Sequence, residues 1–455
     1  MVHRLGVFGL YAAVALLSGC ASYRPLPLPQ RANLASDVTA LRVELPAGTG
    51  TTVRKIDVTE PLSIEEISFL AILNNPDLTS ERGERSVAAA ALLQASLLPN
   101  PSATLGLGVL VGGPGTTTSY AASLSEDIAA IVTYRARERS AEAHLAAVDA
   151  DLLWQEWQVA QKTRLLAFDL YWAGQSIALD VKEEKLLSDE LANVKAATAA
   201  GNLDLAALSP LLGAKAASDQ ALGADRLDEL RNWQALNALL GVTPEVRFAI
   251  APPDLAPMPA DIDALIAGLP DHRPDLVALQ MGYRSSDETV RAAILGQFPA
   301  FTLGGSYSQD NSGVSAVGPA VTFELPIFNR NQGQIAAARA TRLLLHEQYQ
   351  SRLDSAASTV RALVALTDRL EADLVAAREA ARSAQSLLET ARAAYAQGNL
   401  DQRSFTEYET TVLQREREAI ALERGLGEDR ITLMVELGLG LPQARITAPD
   451  QETDR

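Results

Sequence analysis

Apolar and polar residues alternate in four short segments of this chain and follow a helical period over most of the remainder. In the first segment Ala103, Leu105, Leu107, Val109 and Val111 alternate with Thr104, Gly106 and Gly108, with Leu110 breaking the pattern. Past the turn Gly112-Gly113-Pro114-Gly115, Tyr120, Ala122 and Leu124 alternate with Ala121, Ser123 and Ser125. Further on, Phe301, Leu303 and Tyr307 alternate with Thr302, Gly304, Ser306 and Ser308; past Asp310-Asn311-Ser312-Gly313, Val317, Val321, Phe323 and Leu325 alternate with Gly318, Ala320, Thr322 and Glu324. Period two predicts strands over 101–111, 117–126, 299–309 and 315–325. One apolar face against one small, polar face is what a membrane barrel strand needs, and about ten residues suit a tilted bilayer-spanning strand.

Between these hairpins the chain reads as helix. No proline occurs between Pro114 and Pro210 or between Pro326 and Pro442, while Pro252, Pro253, Pro257 and Pro259 cluster between the two halves. Proline is costly inside a helix, so two long proline-free stretches rich in Ala, Leu, Glu, Arg and Gln, 135–198 and 332–396, predict two very long helices. At 1.5 Å per residue each extends on the order of 90–100 Å. In the second, Leu363, Leu366, Leu370, Leu374 and Ala377 recur at three- and four-residue spacing among charged flanks, a narrow coiled-coil-like seam. Each stretch stops at Gly-Asn-Leu-Asp (Gly201-Asn202-Leu203-Asp204 and Gly398-Asn399-Leu400-Asp401), then resumes over 205–240 and 402–437. Glycine is the usual left-handed stop and aspartate a good cap for the next helix, so two helical hairpins with short tips are expected.

The pattern is therefore stated twice. Pro101-Ser102-Ala103-Thr104-Leu105-Gly106 returns as Pro299-Ala300-Phe301-Thr302-Leu303-Gly304, and Asn75-Pro76-Asp77-Leu78 has an echo in Arg273-Pro274-Asp275-Leu276. A period of roughly two hundred residues is too long for a solenoid, whose units run about 20–50 residues, and points to a duplicated unit of the kind membrane transport proteins carry. Four strands cannot close a barrel, and an open edge cannot face lipid. Two chains would give eight strands, a filled interior; three give twelve, an aqueous lumen closed by three-fold symmetry.

Composition narrows the setting. A short basic start precedes an apolar run from Leu5 to Leu17 that ends in Leu17-Ser18-Gly19-Cys20. This reads as a leader, residues 1–19, resembling a bacterial lipoprotein cleavage site with Cys20 as the lipidated first residue. Ala21 is not the aspartate that retains lipoproteins on the inner membrane, which directs the protein to the outer membrane, lipid-anchored and extending into the periplasm. Cys20 is the single cysteine, so disulfides and thiolate metal cages within one chain are excluded. The net charge of −17, one unit more negative without Arg4 of the leader, argues against nucleic acid as a partner.

Candidate chemistry is sparse. His346-Glu347-Gln348-Tyr349-Gln350 falls one ligand short of a zinc-protease helix, because Gln350 stands where the second histidine is needed. The histidines His3, His144, His272 and His346 are scattered, and Trp154, Trp157, Trp172 and Trp233 read as helix packing. No phosphate-binding loop, dinucleotide fingerprint or nucleophile elbow is present, so no catalytic residue, no metal site, no cofactor and no enzymatic activity are expected.

Asn74-Asn75-Pro76-Asp77-Leu78, Leu98-Pro99-Asn100-Pro101, Tyr395-Ala396-Gln397-Gly398 and Leu325-Pro326-Ile327-Phe328-Asn329-Arg330-Asn331-Gln332-Gly333 together resemble the TolC-type outer-membrane efflux factor family. The last is the most specific and is similar to the strand-to-helix passage of the heavy-metal branch, the CzcC/CusC-like channels. The resemblance implies an α+β membrane protein: a homotrimer with a twelve-stranded β-barrel, four strands per chain, continued by a long α-helical coiled-coil barrel and ringed by a mixed equatorial belt. It implies a passive exit duct of a tripartite system, with an inner-membrane pump of the RND type, a periplasmic adaptor meeting the tips (Gly201, Asn202, Leu203, Asp204, Gly398, Asn399, Leu400) and outer-membrane lipid around the barrel. The strand–helix passages would be marked by Pro101, Pro299, Pro326, Asn331 and Gly333. Family gates place acids six and nine residues after the tip glycine, held by a tyrosine three before it. Here Tyr395 and Glu407 match, Ser404 replaces the other acid, and the first half has Ala207 and Pro210. Tyr395, Asp401 and Glu407 are thus the candidate gate.

The expected organisation is a leader (1–19), an anchored extended segment (20–60), a first repeat (61–244), a linker (245–262), a second repeat (263–438) and a tail (439–455). Segments 21–60, 245–262 and 439–455 would supply most of the belt. The competing reading is a structural lipoprotein spanning the periplasm by coiled coils. The cargo is the open point: only the 325–333 passage speaks for heavy-metal cations, and drugs, dyes or solvents fit the rest.

Overall fold

The computed structural model describes residues 23–43, 56–112, 117–255, 257–299 and 301–439. The leader, Cys20, the centre of the first hairpin turn and the tail beyond 439 lie outside the described residues. Residues 23–34 belong to a separate unit and are extended and exposed. All that follows concerns the chain from Ala35 onward.

Two helices precede the first hairpin. Helix α1 (Ile64–Asn74) starts at a capping box, in which Ser63 and Glu66 satisfy each other's backbone N–H. Helix α2 (Pro76–Ala95) starts on Asn75, whose side chain accepts from the Leu78 N–H at 3.0 Å, with Pro76 at its first position. Strands β1 (Ser102–Gly108) and β2 (Ser119–Asp127) lead into α3 (Ile128–Ala199), a helix of 72 residues. Asp127 ends β2 and caps α3 through the Ala130 N–H. A 3-10 turn (Leu205–Ala207) then leads into α4 (Leu208–Leu240). The second half runs through two short helices, α5 (Ile262–Ala267) and α6 (Leu269–His272), to α7 (Pro274–Leu295). Strands β3 (Phe301–Gln309) and β4 (Ser315–Phe323) follow, then α8 (Gln332–Ala396) and α9 (Gln402–Glu436).

Several predicted bounds shift. Strand β1 stops at Gly108 rather than at 111, where Leu110 breaks the alternation; the Ser119 hydroxyl closes the ladder by donating to the Gly108 carbonyl at 3.2 Å. Helix α3 begins seven residues before the predicted start at 135, because the Asp127 cap sits directly at the strand end. Helix α4 begins at Leu208 rather than 205; Pro210 is accommodated in its first turn, where its missing N–H has no partner to lose.

The four strands form one antiparallel sheet in the order β1-β2-β3-β4. The central pairing, β2 with β3, joins the two halves of the chain in the register Ala122↔Tyr307 and Leu124↔Gly305. At Gly304 a Cβ would fall 2.2 Å from the Leu124 carbonyl oxygen, so this joint closes only because the residue is glycine. The registers Leu105↔Ala122, Ala122↔Tyr307 and Tyr307↔Val317 align one face across all four strands. That face carries Leu105, Leu107, Tyr120, Leu124, Phe301, Leu303, Val317, Val321 and Phe323, all exposed. The opposite face is Gly, Ala, Ser and Thr, with Asp127 at the end of β2 the one charged residue on it. Both outer edges, on β1 and β4, are unpaired among the described residues.

Helix α3 packs along α1, α2, α4, α7 and α9, and α8 pairs with α9. Its largest core joins Val38, Leu41 and Ile56 to Leu70 of α1, Phe168 of α3, Leu240 of α4 and Val246 beyond it. Parallel bridges Ala35↔Val242 and Leu62↔Ile250 each join one residue of the segments expected in the belt, 21–60 and 245–262, to a residue at an end of the first repeat. Trp157 and Trp233 are buried, and Trp172 packs edge-on against Phe168. No described helix is long and apolar enough to cross a membrane.

Candidate functional site at the hairpin tips

The two tips close in the same way. Gly201 (φ +75°) and Gly398 (φ +74°) take the left-handed conformation that ends each long helix. The Asn202 N–H bonds the Ala197 carbonyl at 2.9 Å and the Asn399 N–H bonds the Ala394 carbonyl at 2.9 Å, the six-to-one bond of a Schellman motif. Each motif is followed by a capping aspartate. Asp204 accepts from the Ala206 N–H at 2.8 Å, and Asp401 from the Ser404 N–H at 2.9 Å. Leu203 is exposed, whereas Leu400 packs against the cluster of Leu388, Phe405 and Val412 that holds α8 to α9.

The candidate gate residues are neighbours with different duties. The Tyr395 ring stacks on Phe405 with centroids 4.9 Å apart, and its hydroxyl donates to the Gln402 amide oxygen. Asp401 is committed to capping: its second oxygen takes the Ser404 hydroxyl at 3.0 Å, and the Ser404 N–H, then this hydroxyl, hold its carboxyl below the usual range. Glu407 is exposed and pairs with Arg403 one turn earlier at 3.6 Å. Of the three, Glu407 has the side chain freest to face an aperture.

Asp401 and Glu407 also line a cleft of about 970 Å³ between the first helical hairpin and the start of α9. The first hairpin contributes Leu187, Glu190 and Val194 from α3 and Leu211, Ala214 and Ser218 from α4. Glu190 and Ser218 were not legible as site residues. Glu190 is one of many acids on a long helix, and nothing in its spacing marks it as buried; in the fold, Asp401, Gln402 and Arg403 at the start of α9 come up against it. Burial pushes the Glu190 carboxyl up; the Arg403 charge opposes this, and the Asp401 charge adds to it.

The strand–helix passages lie at the other end of α3 and α8. Asn331 caps α8 at φ 62°, the one non-glycine residue with positive φ among the described residues. Its amide donates to the Ala293 carbonyl of α7 at 2.8 Å, and its N–H bonds the Asn329 side chain at 3.0 Å. The Pro326 carbonyl accepts from Arg330 at 3.2 Å. Pro101 directly precedes β1, Pro299 stands two residues before β3, and Gly333, in the first turn of α8, has open space where a Cβ would be. Among the described residues no group of three or more His, Cys, Asp or Glu side chains is placed to hold a metal ion. His346 is exposed beside Glu347.

Comparison with known proteins places this geometry. Residues 265–439 match the family model described as outer membrane efflux protein. Over 178 residues the chain is 25% identical to the probable outer membrane lipoprotein SilC of Salmonella typhimurium, covering 37% of this chain and 39% of that relative's length. The fold is shared more widely. CusC superposes with a TM-score of 0.67 at 18% identity, over 83% of this chain and 92% of that one. A membrane protein from Pseudomonas aeruginosa reaches 0.70 at 18% identity, over 94% and 100%. The MtrE outer membrane channel of Neisseria gonorrhoeae, solved in its open state, reaches 0.67 at 17% identity, over 92% and 98%. Residues 265–439 are thus similar in sequence to the outer membrane efflux protein family, and the chain shares its fold with the solved outer membrane channels CusC and MtrE.

Proposed function

We propose that three copies of this chain form an outer-membrane exit duct, each contributing four strands to a twelve-stranded barrel and two helical hairpins to a periplasmic tube. One observation carries the reading: a four-stranded sheet with a largely apolar exposed face, a small polar opposite face and two edges unpaired among the described residues. Exposed apolar surface of that extent is costly in water and favourable against lipid, and open edges in lipid demand neighbouring strands. A coiled-coil scaffold has no use for such a sheet, so the structural-lipoprotein reading is the weaker one.

On this reading Cys20 carries the lipid anchor, and an inner-membrane pump of the RND type drives export through a periplasmic adaptor seated at the tips around Gly201 and Gly398. The duct itself is passive. Tyr395 and Glu407 form the gate, the tyrosine fixing α9 against α8 and the carboxylate facing the aperture. Heavy-metal cations are the proposed cargo, from the 325–333 passage and the SilC and CusC likeness; the acidic balance of the chain suits cations.

The test is native mass spectrometry of the protein in detergent followed by planar-bilayer recording. A conducting trimer is expected. A stable monomer, or a trimer that never conducts, overturns the duct. Cargo is read separately, from survival of a duct-deficient host carrying the cognate pump on metal salts and on dyes.

A further inference from the structure

The cleft between the first hairpin and α9 has features that closing a tube does not require. Its volume, about 970 Å³, lies at the upper end of what drug-sized ligands occupy. Much of its wall is aliphatic, with Leu187, Val194, Leu203 and Leu211 prominent. Set into this wall are two polar side chains that are more than nine-tenths buried: Glu190 at 7% exposure and Ser218 at 6%. The Glu190 Oε2 and the Ser218 Oγ each have no hydrogen-bond partner. A buried polar atom left without a partner is costly, and a carboxylate oxygen more so than most.

The charge around the cleft has a definite sign. Glu183, Glu190, Asp401 and Glu407 line it against Arg403 and Arg417. Arg417 is already committed to Asp180 and to Glu183, the latter at 2.6 Å, and Arg403 to Glu407 at 3.6 Å. The Glu190 Oε2 is thus an unpartnered acceptor in a mostly apolar wall, although Gln402 bonds the Glu190 carboxyl, the Arg403 charge acts on it, and Arg417 keeps its Nε without a partner.

We propose that this cleft is a binding site for a lipophilic organic monocation, with the Glu190 carboxylate as its counter-ion and the aliphatic wall as the seat of its apolar body. A donor group on the cation meets the Glu190 Oε2, and the Ser218 hydroxyl is placed to accept a second. An inorganic ion would leave the apolar volume unfilled, and an anion would meet an excess of carboxylates. Occupancy would wedge the first hairpin apart from the start of α9, and so would bias the helix that carries Glu407 and the Phe405 ring on which Tyr395 stacks. The site does not depend on the duct reading, because binding is measured without conduction.

The experiment uses the full chain purified in dodecyl maltoside and rhodamine 6G as the probe, followed by fluorescence anisotropy. Saturable binding is expected, weakened at least about tenfold in Glu190→Gln, a loss of about 1.4 kcal/mol. Ala214→Trp, which fills the cleft and leaves every charge in place, should abolish it; this variant also serves if Glu190→Gln does not fold. Glu84→Gln, an acid far from the cleft on α2, should bind as the parent does. Non-saturable uptake equal in all variants would mean partition into micelles and would overturn the site, as would unchanged affinity in both cleft variants.

Discussion

Gly427 of α9 lies under the ring of Phe168 of α3, so closely that a Cβ built on the glycine would fall 2.0 Å from the Phe168 ring carbon Cζ. Phe168 is fully buried in the largest core cluster. The two halves of the chain therefore meet here with no room for a side chain on α9.

Gly427→Ala should consequently destabilise, although the same change in an exposed helix interior stabilises by about 0.5–1 kcal/mol. Overpacking against a fixed aromatic costs about 1–3 kcal/mol. Urea unfolding of the purified protein should show a lower midpoint, and Phe168→Leu in the same background should recover part of it. A midpoint raised by Gly427→Ala alone would show that the contact yields.

One turn away, Arg424 of α9 bonds Asp169 of α3 at 3.1 Å and Glu428 at 2.8 Å. Burial, then a hydrogen bond with Glu428, pushes the Asp169 carboxyl up to about 7, with Arg424 opposing. A carboxyl whose folded value exceeds its unfolded 3.8 binds its proton more tightly when folded. Its contribution to stability is thus greatest at low pH, falls as pH rises from about 4 to about 7, and is level above that. Asp169→Asn removes this dependence. Between pH 5 and 8 the melting temperature of the parent should drop relative to that of Asp169→Asn; parallel curves would exclude Asp169 as the titrating group.

Arg273 is buried at 2% exposure where α6 meets α7. It bonds Asp275 through both Nε and Nη2, at 3.0 and 2.8 Å, pairs with Glu436 and lies 4.9 Å over the Trp154 ring. Removing one partner of a buried pair costs about 3–5 kcal/mol, because the remaining charge stays buried. Arg273→Ala should approach that cost in urea unfolding. Arg273→Lys should recover only part, since an ammonium cannot reproduce the planar two-point contact.

At the tips, Tyr395→Phe keeps the stack on Phe405 and loses the donor to Gln402. Bilayer recordings should show raised resting conductance with little change in melting temperature. Glu407→Ala should lower cation selectivity as well. If both variants conduct and select as the parent does, the gate lies elsewhere.

Asn331→Gly should be close to neutral for backbone strain and lose only the amide bond to Ala293, whereas Asn331→Ala also carries the left-handed penalty of roughly 1–2 kcal/mol. Melting should rank Gly above Ala, the reverse of ordinary helix preference.

Much of this molecule is determined by local rules acting on neighbouring residues. Alternation at Leu105, Leu107 and Tyr120 makes strands, the proline-free run ending at Ala396 makes a long helix, and Gly398 with Asp401 makes its tip. Each of these is settled within a few residues, by backbone sterics and by which side chain can satisfy a nearby N–H. What the sequence left open is which surfaces meet. That β2 pairs with β3, that Phe168 sits on Gly427, and that Glu190 meets the start of α9 all join residues far apart in the chain. Such contacts follow from shape complementarity between whole elements, which leaves no periodic trace along the sequence. Glu190 is the plainest case: in sequence it is one acid among many on a long helix, and only the packed structure makes it a buried carboxylate with an unpartnered oxygen.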